Sequence, residues 1–276
     1  ATRLMSLVYH RTLNVGRVVS PTLSLLVERK REIEEFKPET FYTVAVNCGG
    51  VFLSSERIAD KSEAEALAND CTGEAHIIRV GHEKCSKRAP ELYDLTTLQR
   101  EANRELGFTA QQTLDYLQAL YEKRLVTYPR TDSRYLTDSM AATVPELVSV
   151  AARLLEVEAP VDINAEQVCD SSKVTDHHAV VPTQSAANVN ISTLPEGEAA
   201  VLRLVCRQLL CAVSAPFIYA ETTVEAECSG HTFRTRGKTI IDLGWRAYKS
   251  APDWTPPSDF AEGVSVADTS ATVKES

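Results

Sequence analysis

The chain is organised around one short stretch of sequence, Leu125-Val126-Thr127-Tyr128-Pro129-Arg130-Thr131-Asp132-Ser133. A proline disfavours the helical conformation for the residue before it, so Pro129 predicts an extended backbone at Tyr128. Alternate side chains of an extended chain share a face. We therefore expect a strand over Leu125 to Asp132 from which Tyr128, Arg130 and Asp132 project together.

This face has the chemistry to hold a phosphate next to a nucleophile. The Arg130 guanidinium is always charged and is fork-shaped for phosphate oxygens. A tyrosine phenol needs help to become nucleophilic, and Asp132 would orient either partner. The alternative is an edge strand with an incidental ion pair, which contributes little to stability. A lone Tyr-x-Arg favours that alternative, whereas the longer string favours a site.

Continued by Arg134-Tyr135-Leu136, the string resembles the active-site tyrosine motif of type IA DNA topoisomerases, particularly the topoisomerase III branch. Asp176-His177-His178-Ala179-Val180-Val181-Pro182-Thr183 resembles the second family signature, in which the first histidine of the pair sits near the scissile phosphate. Residues 13–23 are similar to the glycine-arginine-valine block of the family, and Gly244-Trp245-Arg246-Ala247 also fits. The resemblance spans roughly residues 1 to 250, in family order.

Two departures from the family pattern affect these expectations. Val19 stands where family members usually carry glutamine, so a polar contact to DNA is missing or is supplied by Ser20 or Asn14. The family also begins with an acidic, metal-binding toprim domain, to which nothing in this sequence corresponds. We therefore expect a central fragment that lacks the toprim domain and the C-terminal part, and that is inactive or feeble alone.

The resemblance implies a reaction and roles for individual residues. Tyr128 would attack a phosphodiester of single-stranded DNA and stay linked to the 5′ phosphate, so that the strand is resealed without ATP after a second strand or a duplex has passed. Arg130 would stabilise charge on the phosphoryl oxygens, His177 would hold a phosphate oxygen or a DNA hydroxyl, and Asp132 would orient a neighbour. The candidate DNA contacts are Arg17, Lys123, Arg124 and Arg134.

Cofactor and partner expectations follow from the same resemblance. Mg²⁺ would be held by carboxylates of the absent toprim domain, so we expect no metal site in this chain. DNA and the toprim domain of the same polypeptide are the expected partners. The other reading of the chain is a non-catalytic module of the same fold that binds single-stranded DNA or another protein.

Composition and charge limit the classes of protein to which the chain can belong. Its 276 residues contain 43% hydrophobic residues, with neither a membrane-length apolar run nor a signal segment, which indicates a cytoplasmic protein, associated with the nucleoid if bacterial. The net charge of −9 opposes general attraction to DNA. Residues 1–37, however, hold seven basic against four acidic residues, so any DNA groove must be locally focused.

The order of predicted elements indicates an α+β multidomain fold. It consists of a β arch with an inserted helical, winged-helix-like tyrosine domain, and strands from 38 to 83 and 218 to 248 join one sheet. The predicted units are a helical segment of a partly absent domain at 1–37, the β arch at 38–90 and 218–250, the helical domain at 91–217 and a flexible acidic tail at 251–276.

Several local signals make these predictions specific. Gly49-Gly50 indicates a hairpin turn, and Gly237 indicates a break between two strands. Lys84 to Pro90 reads as a polar connection between domains. The expected helix signals are an N-cap at Ser20 with Pro21 at the first helical position, capping boxes that start at Thr96 and Thr109, a stop at Gly107, and Leu114, Leu117 and Tyr121 facing inward.

Overall fold

A computed structural model of the chain describes residues 2–12, 16–249, 252 and 265–275. Within these residues the fold combines α-helices with one antiparallel sheet. The helices are α1 (Thr2–Val8), α2 (Val19–Glu34), α3 (Lys61–Asp70), α4 (Leu95–Leu106), α5 (Ala110–Glu122), α6 (Val144–Leu155) and α7 (Glu196–Val213). The strands are β1 (Tyr42–Cys48), β2 (Val51–Ser54), β3 (Gly73–Lys87), β4 (Phe217–Cys228), β5 (His231–Asp242) and β6 (Ser265–Glu275).

The six strands close into a barrel in the order β1-β2-β5-β4-β3-β6. Alternating apolar residues such as Val44, Val46 and Val224 point inward and form its core, to which α3 adds Ala64. The barrel is weakest between β2 and β5, where Ser54 and Arg234 are the registered pair. By contrast, β3 and β4 pair along nearly their whole length.

Two strand predictions are confirmed. Residues 42–48 and 51–54 form the expected hairpin, and Gly49 and Gly50 adopt φ values of +59° and +91°, which only glycine adopts without strain. Strands from both predicted β regions also lie in one sheet. The boundaries of the proposed domains stay a prediction.

Two predicted breaks in the strands are wrong. Lys84 to Lys87 belongs to β3, because this segment continues the pairing with β4 as far as the Lys87–Phe217 pair. Gly237 lies inside β5 opposite Thr222, since a strand with a partner along its length tolerates a glycine. The connection between the β and helical regions is therefore shorter than the sequence suggested.

The prediction of a flexible tail is wrong for residues 265–275. These residues form β6, which pairs with β1 on one side and with β3 on the other. Val266, Ala271 and Val273 pack against the barrel core, and Thr269 is buried. The prolines at 256 and 257 and Gly263, which suggested a frayed end, lie outside the described residues.

The helical region has its own core, built mainly from α4 to α7. Thr109 caps α5 in a capping box with Gln112, as predicted, and Gly107 ends α4 at φ +71°. The box predicted at Thr96 is wrong, because Asp94 caps α4 and pairs with Thr97. Asp94 lies two residues before Thr96 and accepts the backbone N–H of Thr97 at 2.6 Å, so the helix starts earlier than predicted.

A tight junction joins the helical region to the barrel. Gly244 has φ +46°, and a Cβ there would lie 2.2 Å from the Pro216 carbonyl oxygen, so a larger residue cannot fit without a backbone shift. Trp245 donates from its backbone N–H to the carbonyl of Ala215, at 2.9 Å, and from its indole to that of Lys87, at 3.1 Å. The Gly244-Trp245 motif thus connects β3, β5 and the end of α7.

The helix predicted in the N-terminal segment forms as α2, over Val19–Glu34, but its predicted start is wrong. The helix α2 begins at Val19 with Val18 as its N-cap, and Ser20 instead accepts a hydrogen bond from the Gly16 backbone N–H at 3.2 Å. Leu23 and Leu26, two apolar residues of α2, are exposed, at 59% and 63% accessible. No helix among the described residues is both long and apolar enough to cross a membrane.

Candidate active site

The stretch around Tyr128 is extended and has two distinct faces. Pro129, Thr131 and Ser133 are buried, whereas Arg130 and Asp132 are exposed and Tyr128 is half-buried. The predicted alternation is therefore confirmed. The predicted regular strand is wrong, because the only sheet pairing in this stretch, as far as the structure describes it, is one isolated bridge between Val126 and Pro182.

The second signature holds the tyrosine stretch in place. The Thr127 hydroxyl donates to the Ala179 carbonyl at 3.0 Å, and the Thr127 backbone N–H donates to the Val181 carbonyl at 3.0 Å. Farther along, the Thr131 hydroxyl donates to the carbonyl of His177 at 2.7 Å. These bonds between residues about fifty positions apart bring the two signatures side by side.

This arrangement places the His177 ring against Tyr128. The two ring centroids are 4.2 Å apart and the planes are tilted by 38°. Tyr121 contacts the Tyr128 ring edge-on, with centroids 5.6 Å apart. The prediction that Tyr121 faces inward is wrong, since it is 39% exposed at the end of α5. Helical spacing cannot reveal this contact, because α5 ends before Tyr128.

The two other predicted catalytic residues are exposed, with different surroundings. Within the part of the chain that the structure describes, Arg130 makes no hydrogen bond or ion pair, so its guanidinium faces solvent beside Tyr128. Asp132 accepts a hydrogen bond from the Thr175 hydroxyl at 3.0 Å. Asp132 is therefore hydrogen-bonded to a residue near the second signature, rather than to Tyr128 or Arg130.

The four predicted DNA contacts differ in how strongly acidic residues already bind them. Lys123 pairs with the carboxylate of Glu198, and Arg134 pairs with Asp94 at 2.9 Å and with Glu91 at 3.1 Å. Arg124 and Arg17 are exposed, with no ion pair to another described residue. Arg124 also has a left-handed backbone at φ +61°, and its carbonyl accepts a hydrogen bond from Thr183.

Sequence reasoning missed the acidic support of Arg134. The Tyr135 hydroxyl donates to Glu91 at 2.7 Å, and this bond, reinforced by Arg134, holds the pKa of Glu91 below its ordinary value. The Lys173 ammonium lies 4.2 Å from the Tyr135 ring centroid. These partners are about forty positions apart in sequence, so no local pattern could have identified them.

The described residues form neither a group suited to a metal ion nor a disulfide. Among the residues that the structure describes, no group of three or more His, Cys, Asp or Glu side chains could hold a metal ion. All seven cysteines are free thiols. The tyrosine stretch and the second signature contribute a phenol, an imidazole, a guanidinium and a carboxylate to this surface.

Comparison with known proteins identifies the class. A profile of the DNA topoisomerase family matches residues 1–276. Full-length topoisomerase I from Thermotoga maritima has a similar fold, with a TM-score of 0.75 at 24% identity over 96% of this chain and 45% of that chain. The chain belongs to the DNA topoisomerase family, in its type IA class.

Within that class the chain is similar to bacterial proteins named DNA topoisomerase 3. The protein of Bacillus licheniformis is 36% identical over 266 residues, which cover 90% of this chain and 36% of that protein. The protein of Bacillus subtilis is 32% identical over 262 residues, with coverage of 90% and 36%. This chain thus spans about a third of the length of these relatives.

Proposed function

We propose that this chain is the tyrosine-bearing part of a type IA topoisomerase that cleaves single-stranded DNA transiently and reseals it. The observation that carries the proposal is the contact between the Tyr128 and His177 rings beside the exposed Arg130. The hydrogen bonds of Thr127 and Thr131 join the backbone segments that carry the two rings. Preorganised groups of this kind lower a reaction barrier, because they need no rearrangement when charge develops.

The proposed reaction is a transesterification. The Tyr128 phenolic oxygen forms a bond to phosphorus, and the bond from phosphorus to the 3′ oxygen breaks. The phenol loses its proton, and the departing 3′ oxygen gains one to become a hydroxyl. The 5′ phosphate stays on Tyr128 as a phosphodiester, so the reverse attack reseals the strand without ATP.

The neighbouring side chains have distinct proposed roles. Arg130 stabilises charge on the phosphoryl oxygens, and His177 holds a phosphate oxygen or the DNA hydroxyl. Asp132, fixed by Thr175, orients a neighbouring group. Arg17 and Arg124 contact the DNA backbone through guanidinium groups that form no ion pair with a described carboxylate. Lys123 and Arg134 are already ion-paired with acidic residues.

The described residues do not fit a Mg²⁺ site, so no step of this mechanism passes through the metal. We place the carboxylates that hold Mg²⁺ in a toprim domain outside these 276 residues. DNA is the partner: one single strand is cleaved, and a second strand or a duplex passes. We further propose that the barrel acts as the arch that moves a winged-helix-like helical region, and that the protein works in the cytoplasm, on the nucleoid.

The test is a covalent-capture experiment. The chain is incubated with a single-stranded oligonucleotide labelled at its 3′ end and Mg²⁺, with and without a toprim domain added in trans. We expect label to remain on the protein after denaturation only when the toprim domain and Tyr128 are both present, with Tyr128→Phe as the control. Reversible binding without a covalent product, with a folded toprim partner, would favour the non-catalytic module.

A further inference from the structure

Arg134, which follows the tyrosine stretch in sequence, lines a cleft. It has a volume of about 380 Å³ and is formed by residues 90–93, one face of α4 from Thr97 to Arg104, Arg134, Gln208 of α7 and Lys249. This volume falls within the range of roughly 300–1,000 Å³ typical of small-molecule sites. The cleft shares no lining residue with the group formed by Tyr128, Arg130, Asp132 and His177.

Two residues that line the cleft carry buried polar atoms without a partner. The Tyr93 and Gln208 side chains are each about 95% buried, since both residues are 5% exposed. The Tyr93 hydroxyl and the Gln208 Oε1 atom have no hydrogen-bond partner among the described residues. The Gln208 amide nitrogen already donates to the Glu91 carbonyl, so its free atom is an acceptor.

Such unpaired buried atoms destabilise a folded protein unless a ligand supplies the missing hydrogen bonds. Burial raises the pKa of Tyr93, so its phenol keeps its proton and can both donate and accept. The cleft therefore presents one hydrogen-bond acceptor and one hydroxyl that can both donate and accept a hydrogen bond. A nucleobase edge, which carries donors and acceptors side by side, has the matching pattern.

The rim of the cleft is basic. Arg100, Arg104, Arg134 and Lys249 line it together with only two acidic residues, Glu91 and Glu101. Glu101 binds both Arg104, at 2.6 Å, and Lys249, at 3.2 Å. Arg100 is exposed and has no ion pair or hydrogen bond to any described residue, which leaves its guanidinium available for an anion. A phosphate is the anion that a guanidinium fork fits best.

The cleft and the tyrosine stretch share one framework. Asp94, which caps α4, holds Arg134 at 2.9 Å, and the backbone N–H of Leu95 donates to the Thr131 carbonyl at 3.1 Å. A ligand in the cleft would therefore contact Arg134, whose partner Asp94 adjoins Leu95, and Leu95 is hydrogen-bonded to the stretch that carries Tyr128. The cleft and the tyrosine stretch, connected in this way, could bind two parts of the same DNA strand.

We propose that this cleft binds one nucleotide unit, with Arg100 on its phosphate and with Tyr93 and Gln208 on the polar edge of its base. A free nucleotide and a residue within a single strand share this chemistry. The assignment of this nucleotide to a single DNA strand rests on the proposed function, whereas the nucleotide site itself does not. Hydrogen bonds in the cleft add to the affinity that the phosphate contact supplies.

The test is calorimetric titration of the 276-residue chain with each deoxynucleoside monophosphate and, separately, with an eight-nucleotide single strand. Arg100→Gln should weaken mononucleotide binding by about tenfold or more, because it removes a charged hydrogen bond. Arg153→Gln is the matched control, since Arg153 is an exposed arginine of α6 that does not line the cleft and has no ion pair to a described residue. Tyr93→Phe should also weaken binding, by about three- to tenfold.

Each outcome decides a separate point. Equal affinities of Arg100→Gln and Arg153→Gln for both ligands would overturn the site. Unchanged affinity in Tyr93→Phe, together with a raised melting temperature, would overturn the role of the hydroxyl in binding. It would show that the buried hydroxyl only destabilises the fold. A matching loss for the eight-mer supports the strand as the source, and a loss confined to mononucleotides supports a free nucleotide. Covalent capture by Tyr128 is measured independently, so it separates failure of this site from failure of the proposed function.

Discussion

The two faces of the tyrosine stretch place very different demands on their residues. On the buried face, Thr131 is 8% and Ser133 is 4% exposed, and both make hydrogen bonds to segments about forty residues away. On the outer face, Arg130 is exposed and has no recorded bond to the rest of the described structure. The buried face therefore supports the fold, and the outer face is free for chemistry.

This difference teaches that stability and reactivity can be separated residue by residue within a stretch of six. Extended backbone makes the separation possible, because neighbouring side chains point in opposite directions. A substitution on one face should change the cleavage rate, and a substitution on the other should change the free energy of unfolding. Four measurements test this division.

The largest effect is expected from Arg130→Gln. Loss of a charge aimed at the phosphoryl oxygens should lower the rate of covalent-adduct formation by about 10²–10³-fold, with the melting temperature unchanged. Single-turnover capture with the toprim domain in trans measures the rate. Arg203→Gln is the control, because Arg203 is an exposed arginine of α7. Equal rates in the two variants would contradict a role for Arg130.

A smaller effect, on stability, is expected from Thr131→Val. The substitution keeps the shape but removes the donor to the His177 carbonyl and the acceptor for the Ser133 N–H, so the free energy of unfolding should fall by about 1–3 kcal/mol. Urea unfolding measures the change. Thr175→Val, on the exposed side, should cost no more than about 0.5 kcal/mol. Similar losses in both variants would remove the distinction between the faces.

A pH-dependent effect is expected from Asp94, which supports the buried face through α4. Burial alone would raise the pKa of Asp94, but hydrogen bonds from Thr97 and Arg134 outweigh it and lower the pKa below its ordinary value. A lowered folded-state pKa gives stability that is present above the unfolded value of about 3.9 and is lost as the pH falls through the folded value.

Asp94→Asn should therefore destabilise the chain by about 1 kcal/mol at pH 7, and the difference from the unmodified chain should shrink as the pH falls below about 4. Asparagine still caps the helix, so the comparison isolates the charge together with the oxygen that accepts from Arg134. Urea unfolding between pH 3 and pH 7 supplies the curve. A difference that stays constant over this range would show that the charge of Asp94 contributes nothing.

The smallest effect is expected from Tyr128→Phe on stability. The ring contacts with His177 and Tyr121 do not need the hydroxyl, so the free energy of unfolding should change by less than about 0.5 kcal/mol. Thermal and urea unfolding of the variant provide the measurement. A larger loss would mean that the phenol also serves the fold, and the two faces would no longer be separate.

Sequence predicted the parts of this structure that local chemistry determines. The proline and the alternation at Tyr128, Arg130 and Asp132 were sufficient to predict the exposed face, and Thr109 and Gly107 carried clear helix signals. The strand β6 was missed, because its polar residues become a strand only through partners about two hundred positions away. The acidic partners of Arg134 were missed for the same reason, since no local spacing encodes a contact across the fold.

The place of β6 has a consequence for the order in which the chain folds during synthesis. Residues 94–213 contain most of the helical core, and they leave the ribosome well before residues 265–275 exist. Until β6 arrives, β1 lacks one neighbour and β3 lacks pairing along part of its edge. Domains fold as units as they emerge, so the helical region that carries Tyr128 can mature first. The barrel then stays an open sheet with exposed edges, the state most prone to wrong pairing, until its last strand is made.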